Sequence, residues 1–237
     1  VKGTTTTISA QSNAPFLKID SVKVTADSGT EKTLTEPDGD TKLYPSQVVG
    51  GTTDPKFESA YAKDKAKADE LTNSRFEVGD AEAAVTGKYA IKQTFYIGTS
   101  DDKAGSFKNL AVSSVKINAT ENSKLENAMR VLVVGEDGWV VWKKGDDAAD
   151  GWVKEYNRAG AQTAIAGFAA DGYIDTAIAA AASGKVDVYV YYDGADTDVY
   201  TEQLADLTSC GVTITFTATP VNTDGNDVTD ANNAAGN

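Results

Sequence analysis

No histidine occurs anywhere in the chain. Imidazole is the one side chain that titrates near neutrality without environmental help, and it is the commonest metal ligand. Its absence excludes Ser-His-Asp and Cys-His catalysis and histidine-ligated zinc, and the expectation is a protein that is not an enzyme. The single cysteine, Cys210, excludes an intrachain disulfide and leaves the compartment open. Basic residues are scarce, with 22 Lys and Arg against 35 Asp and Glu, a formal charge of −13. Such a surface repels phosphate backbones and anionic lipid, so no nucleic-acid partner is expected. No apolar run approaches the roughly 20 residues that cross a bilayer as a helix, and no membrane span is expected in the mature chain.

What the chain does contain is β signal. At 237 residues it is long enough to bury a sizeable core without staples. Residues 1–15 are polar and β-prone around one large apolar residue, Ile8, too thin a segment to hold its own place in a core. Residues 16–25 switch parity at Asp20 and Ser21, which predicts a bend, and residues 110–119 switch between Val112 and Val115. MRVLVV and WVVW, joined by GEDG over 129–142, predict a hairpin whose strands are apolar on both faces and therefore central. Residues 185–194 and 212–220 read as strong strands, the latter with Val212, Ile214, Phe216 and Ala218 inward and threonines outward.

Two excursions interrupt this pattern. Residues 26–86 begin with turn chemistry rich in Gly, Asp, Thr and Pro. They continue as an amphipathic helix over 55–72, capped by Asp54 and opened by Pro55, with Phe57, Tyr61, Ala68 and Leu71 on one face. Residues 145–184 are Ala-rich, with Ile165, Phe168, Ile174 and Ile178 at positions that suggest helix. A short helix is expected from Asp198 to Gly211, and residues 221–237 form a polar tail. The fold class expected is mainly β. It is an antiparallel, jelly-roll-like β-sandwich, one domain over 16–220, with helical insertions in the connections.

Candidate chemistry is sparse. Gly135–Gly138 and Gly50-Gly51 lack the Lys and Ser/Thr of a phosphate loop and read as turns. Aspartates cluster at 146–150, 193–198 and 224–230, offering hard oxygen ligands for calcium without EF-hand spacing. Asp193, Asp196 and Asp198 are the set singled out as a possible calcium turn; no other cofactor is expected. Trp139, Trp142 and Trp152 with Tyr189, Tyr191 and Tyr192 suit either a sugar-stacking platform or core packing, with core packing favoured on central strands.

Three segments carry a family resemblance: ENAMRVLVVGEDG, VDVYVYYDGADTD and LTSCGVTITFTATP. Together they resemble the C-terminal half of secreted bacterial proteins of the TasA and camelysin type, with the strand, acidic turn, short helix and alternating strand unit spanning Val186 to Ala218. The resemblance implies a jelly-roll-like sandwich that builds extracellular biofilm-matrix fibres, in which an N-terminal segment of one subunit completes the sheet of the next. The metalloprotease activity described for camelysin does not carry over, because His-Glu-x-x-His cannot be written without histidine. Residues 1–15 are then the expected donor strand, with Thr4, Thr5, Thr6, Thr7 and Ile8 as the assembly residues. Copies of the same chain are the expected partners, head to tail. Val1 in place of an initiator Met suggests a processed terminus and hence secretion to the cell surface or beyond. The hydrophobic N-terminal helix on which type IV pilins polymerise is missing, which points away from that route. The competing expectation is a monomeric surface adhesin or carbohydrate-binding module.

Overall fold

The computed structural model describes residues 6–35, 43–51, 54–59, 76–100, 105–119, 125–145, 152–155, 169, 171–194 and 210–228. In chain order the elements are β1 (Thr6–Ser12), β2 (Lys18–Asp20), β3 (Glu31–Thr35), β4 (Ser46–Gly50), β5 (Lys56–Ser59), β6 (Phe76–Asp80), α1 (Ala81–Thr86), β7 (Ile91–Gly98) and β8 (Ser106–Ala119). They continue with α2 (Leu125–Ala128), β9 (Met129–Val134), β10 (Trp139–Lys144), β11 (Trp152–Lys154), β12 (Tyr173–Ile178), β13 (Ser183–Tyr192) and β14 (Cys210–Val221). The protein is mainly β, as expected. Among the described residues three sheets form, in the orders β12-β8-β14-β1-β3, β11-β10-β9-β13-β7-β2 and β4-β5-β6. The strand pairs among the described residues are antiparallel apart from β1 on β14.

The six-stranded sheet sits between two cores because its central strands carry runs of consecutive apolar residues, buried on both faces. Met129, Val131 and Val133 of β9, Val140 of β10 and Val186, Val188 and Val190 of β13 face the five-stranded sheet, where they meet Ile8, Leu110, Ile214 and Phe216. The alternate residues Leu132, Trp139, Val141, Tyr189 and Tyr191 face the other way, onto Val48 and Phe57 of the small sheet and Ala81 and Ala84 of α1. The hairpin at 129–142 and its central position are therefore as the apolar runs suggested, with Gly135 N–H donating to Gly138 O across the turn at 2.9 Å. A Cβ on Gly135 would lie 2.1 Å from Ile174 O, so this turn is pressed directly against β12.

Both parity switches have a structural cause. β2 ends at Asp20, and the chain turns before Val24 is buried again. In β8 the register against β14 shifts between Thr215↔Ser114 and Phe216↔Val112. Ser113 is the extra residue of a bulge, and the bulge lets Val112 and Val115 both point inward.

The helical insertions are corrected. Lys56–Ser59, expected to open the helix over 55–72, is instead β5, paired to β4 and β6 with Phe57 fully buried. Lys-Phe-Glu-Ser alternates as a half-buried strand does, and Pro55 precedes a strand without needing to donate. Residues 60–75, which carried most of the helical spacing, lie outside the described residues. The helix present in this excursion is α1, capped by Asp80, whose carboxylate accepts from Ala83 N–H at 2.9 Å. Residues 31–35, read as turn chemistry, are β3: tertiary pairing with β1 overrides a composition poor in large apolar residues. In the second excursion Ile174 and Ile178 lie on β12 rather than a helix; Ile165 and Phe168 lie outside the described residues. So does the helix expected from Asp198. The first residues of the polar tail fold back, Val221 bridging Asp227 and Lys108 pairing with Asp227 at 2.6 Å.

Candidate assembly site

β1 fills a slot in the five-stranded sheet. One edge pairs in parallel with β14 from Thr6↔Cys210 to Ser12↔Phe216, and the other pairs antiparallel with β3 from Thr7↔Thr35 to Gln11↔Glu31. Strand alternation turns Ile8 and Ala10 inward, both at 0% exposure, among Val212, Ile214 and the rest of the main core. The segment thus holds a place in the core that its single large residue did not suggest. On the opposite, outward face two side chains add to the hold: Ser9 Oγ lies 2.8 Å from Thr33 Oγ1, and Gln11 Nε2 donates to Thr215 Oγ1 at 2.8 Å.

The link out of the slot is short and ordered. Asn13 N–H donates to Phe216 O at 3.2 Å, Ser12 Oγ accepts from Ala14 N–H at 3.0 Å, and Leu17 N–H donates to Ala14 O at 3.2 Å. Phe16 stacks on Phe107 with ring centroids 5.2 Å apart. Pro15 cannot donate to a ladder and so ends the strand-forming stretch. Of the assembly residues named from sequence, Thr7 and Ile8 lie in the slot, Thr6 begins its backbone ladder, and Thr4 and Thr5 lie outside the described residues. Ala10 and Gln11 are the contributors missed: a small apolar residue two positions after Ile8 gives little signal until the strand's face is known.

A second feature is a buried polar cluster on the other side of the six-stranded sheet. Asp193, at the end of β13, is 0% exposed; its carboxylate accepts from Gln47 Nε2 of β4 at 3.2 and 3.0 Å and lies 3.7 Å from Arg130 Nη2. Arg130, on β9, donates from Nε to Glu155 Oε1 at 3.1 Å and from Nη1 to Asn127 O at 2.7 Å. A parallel bridge between Ser46 and Asp193 joins the small sheet to β13 at the same point. One guanidinium thus serves two buried carboxylates. Burial, reinforced by the charge of Asp193 and opposed by Arg130, pushes the Glu155 carboxyl up to about 7. The adjacent Tyr191 hydroxyl is driven well above its ordinary range, chiefly by burial.

This arrangement fixes Asp193 as a structural tie. Asp196 and Asp198 lie outside the described residues, as do the aspartates at 146–150. Asp224 and Asn226 donate backbone N–H groups to Asn222 Oδ1 in a turn. Among the described residues no three carboxylate or thiol side chains converge as a metal site. The aromatics divide in favour of packing: Trp139, Trp142, Tyr189, Tyr191 and Tyr192 are buried, leaving no exposed stacking platform among them. No helix among the described residues is long and apolar enough to cross a membrane. Comparison with protein-family models, with curated proteins and with solved structures gives no match.

Proposed function

We propose that the protein is a structural subunit of an extracellular filament, non-catalytic, in which β1 of one copy occupies the β14–β3 slot of the next. The observation that carries this reading is the slot itself. β1 is a seven-residue strand held on both edges by backbone bonds, anchored by Ile8 and Ala10, and joined to β2 through a five-residue link. The same contacts form whether the strand comes from its own chain or from a neighbour, so exchange costs no native contact. Occupancy by a neighbour is head to tail and does not close, so it propagates. Secretion and a cell-surface or matrix location follow from this role.

The barrier to exchange is the strand's extraction. Six to eight ladder bonds at about 0.5–1.5 kcal/mol net each, with about 2–3 kcal/mol for Ile8, make the closed monomer long-lived once formed. Chains that meet before the slot is filled therefore assemble more readily than folded ones. The test is a truncation lacking residues 1–12, offered the peptide Thr4–Asn13. It should stay monomeric, bind the peptide, and cap wild-type fibre growth in negative-stain images. Fibres of normal width from the truncated protein would overturn the reading.

A further inference from the structure

The outward face of the five-stranded sheet is rich in hydroxyls and has no net charge. Ser9 of β1 lies in register between Thr33 of β3 and Thr213 of β14. Gln11 is opposite Thr215, and Thr215 in turn is opposite Ser114 of β8. The rows are tied together: Ser9 to Thr33 at 2.8 Å, Gln11 to Thr215 at 2.8 Å, and Ser113 Oγ donating to Thr215 O at 3.1 Å. Among the described residues the charged groups of this face are Glu31, opposite Gln11, Lys116, opposite Thr213, and Lys108, opposite Thr219 and paired with Asp227 at 2.6 Å, two of each sign. The chain as a whole carries −13. Two copies brought within a Debye length of about 8 Å repel each other over an acidic surface, and least where the two surfaces are neutral.

We infer that this face is a self-association surface, on which a second copy of the chain docks with the same face and so joins filaments side by side; the filament part of the inference rests on the function proposed above. Each hydroxyl both donates and accepts, so the face complements its own two-fold image. Four strands about 4.8 Å apart, each presenting about five residues at about 3.3 Å, give on the order of 300 Å² per copy. That is well short of the roughly 800 Å² per partner of a stable complex. A single contact is therefore transient, and repetition along a fibre gives it strength through avidity. A polysaccharide is the poorer occupant: the large aromatic at the sheet's margin is the half-exposed Tyr173 of β12, and stacking planes are otherwise missing from the named rows.

The test uses the full chain with Ser114→Glu and Lys116→Glu, both exposed on β8 and outside the β1 slot. The control carries the same charge change at the exposed Val22 and Lys56 (V22E, K56E). Fibres are imaged, and beads coated with each protein are scored for clustering, as NaCl is raised from about 20 to about 500 mM to screen the net charge. Wild type and control should bundle and cluster increasingly with salt, while the β8 variant gives single fibres of normal width and dispersed beads. Clustering by wild-type beads but not the β8 variant, in the absence of any fibres, would support the face while sinking the filament reading. The inference is overturned if the β8 variant associates as wild type does, if the control loses association equally, or if bundles need added polysaccharide.

Discussion

Replacing Glu155 with Gln tests the buried cluster where its electrostatics are most exposed to measurement. Among the described residues four groups face this carboxyl: Arg130 from β9, Lys143 from β10, and Asp193 and Tyr191 from the end of β13. Glu155 is 3% exposed, and its carboxyl titrates near 7 instead of the ordinary 4.5. Because the folded value is raised, the folded state holds one more proton than the unfolded state between these values. Stability is therefore fully present below about pH 4.5 and is lost as pH rises through about 7. At about 1.36 kcal/mol per unit, the difference between 4.5 and 7 amounts to about 3 kcal/mol, or about 6–12 °C in Tm for a chain of this size. Glu155→Gln keeps an acceptor for Arg130 Nε and cannot titrate, so denaturant melts from pH 4.5 to 7.5 should lose most of this slope. Asp175, raised by its own burial, leaves a residual slope of the same sign. Asp20 and Asp137 are held below 3.8 by the hydroxyls of Ser28 and Thr176, and contribute the opposite slope only in more acid solution. A wild-type protein equally stable across the window, or a variant that keeps the wild-type slope, would refute the reasoning.

Other outcomes follow from single contacts. Ile8→Ala should cost about 2–5 kcal/mol in chemical denaturation by leaving a cavity in the main core, and should weaken fibres in proportion; an unchanged midpoint would mean that β1 does not sit in the slot. Gly135→Ala forces a Cβ to within 2.1 Å of Ile174 O, so about 1–3 kcal/mol should be lost and the 129–144 hairpin should become less protected from hydrogen exchange. Asp193→Asn removes the charge facing Arg130 while keeping an acceptor for Gln47, so its effect should appear as a lowered Tm, with any calcium response in calorimetry the same as in the wild type.

What was legible in the sequence was legible because one physical signal dominated. β9, β10 and β13 are apolar at consecutive positions, and that can only mean burial on two faces; the two cores on either side of them are the consequence. β14 alternates without exception from Val212 to Phe216, and its orientation followed. The bulge at Ser113 was written as a parity switch. The misses share a different cause. β3 and β5 each offer one large apolar residue, Leu34 and Phe57, so their strand character comes from partners distant in sequence: β1 for one, β4 and β6 for the other. A local pattern cannot register a partner. The same is true of the Arg130–Glu155–Asp193 cluster, whose members are unremarkable alone and meet only because three strands and the small sheet end at one point.

The layering also decides which strand could be exchanged at least cost, as the proposed assembly requires. The six-stranded sheet is covered on one side by the five-stranded sheet and on the other by the small sheet and α1, so any strand withdrawn from its middle would open two cores at once. The five-stranded sheet has a buried face and a polar one, and within it β1 contributes two buried residues, Ile8 and Ala10, against the three of β14, Val212, Ile214 and Phe216. Its removal exposes one edge of β14 and releases β3, whose sheet partner is β1, without disturbing the β9–β13 centre. A strand that is specific in register and remote from the second core is what the proposed exchange would need. The neutral hydroxyl face lies on the same sheet, and it is complete whichever copy supplies β1. In the filament proposed above, growth through β1 would use Ile8, Ala10 and the strand's backbone, while contact between fibres would use the outward hydroxyls, so the two would not compete for the same groups.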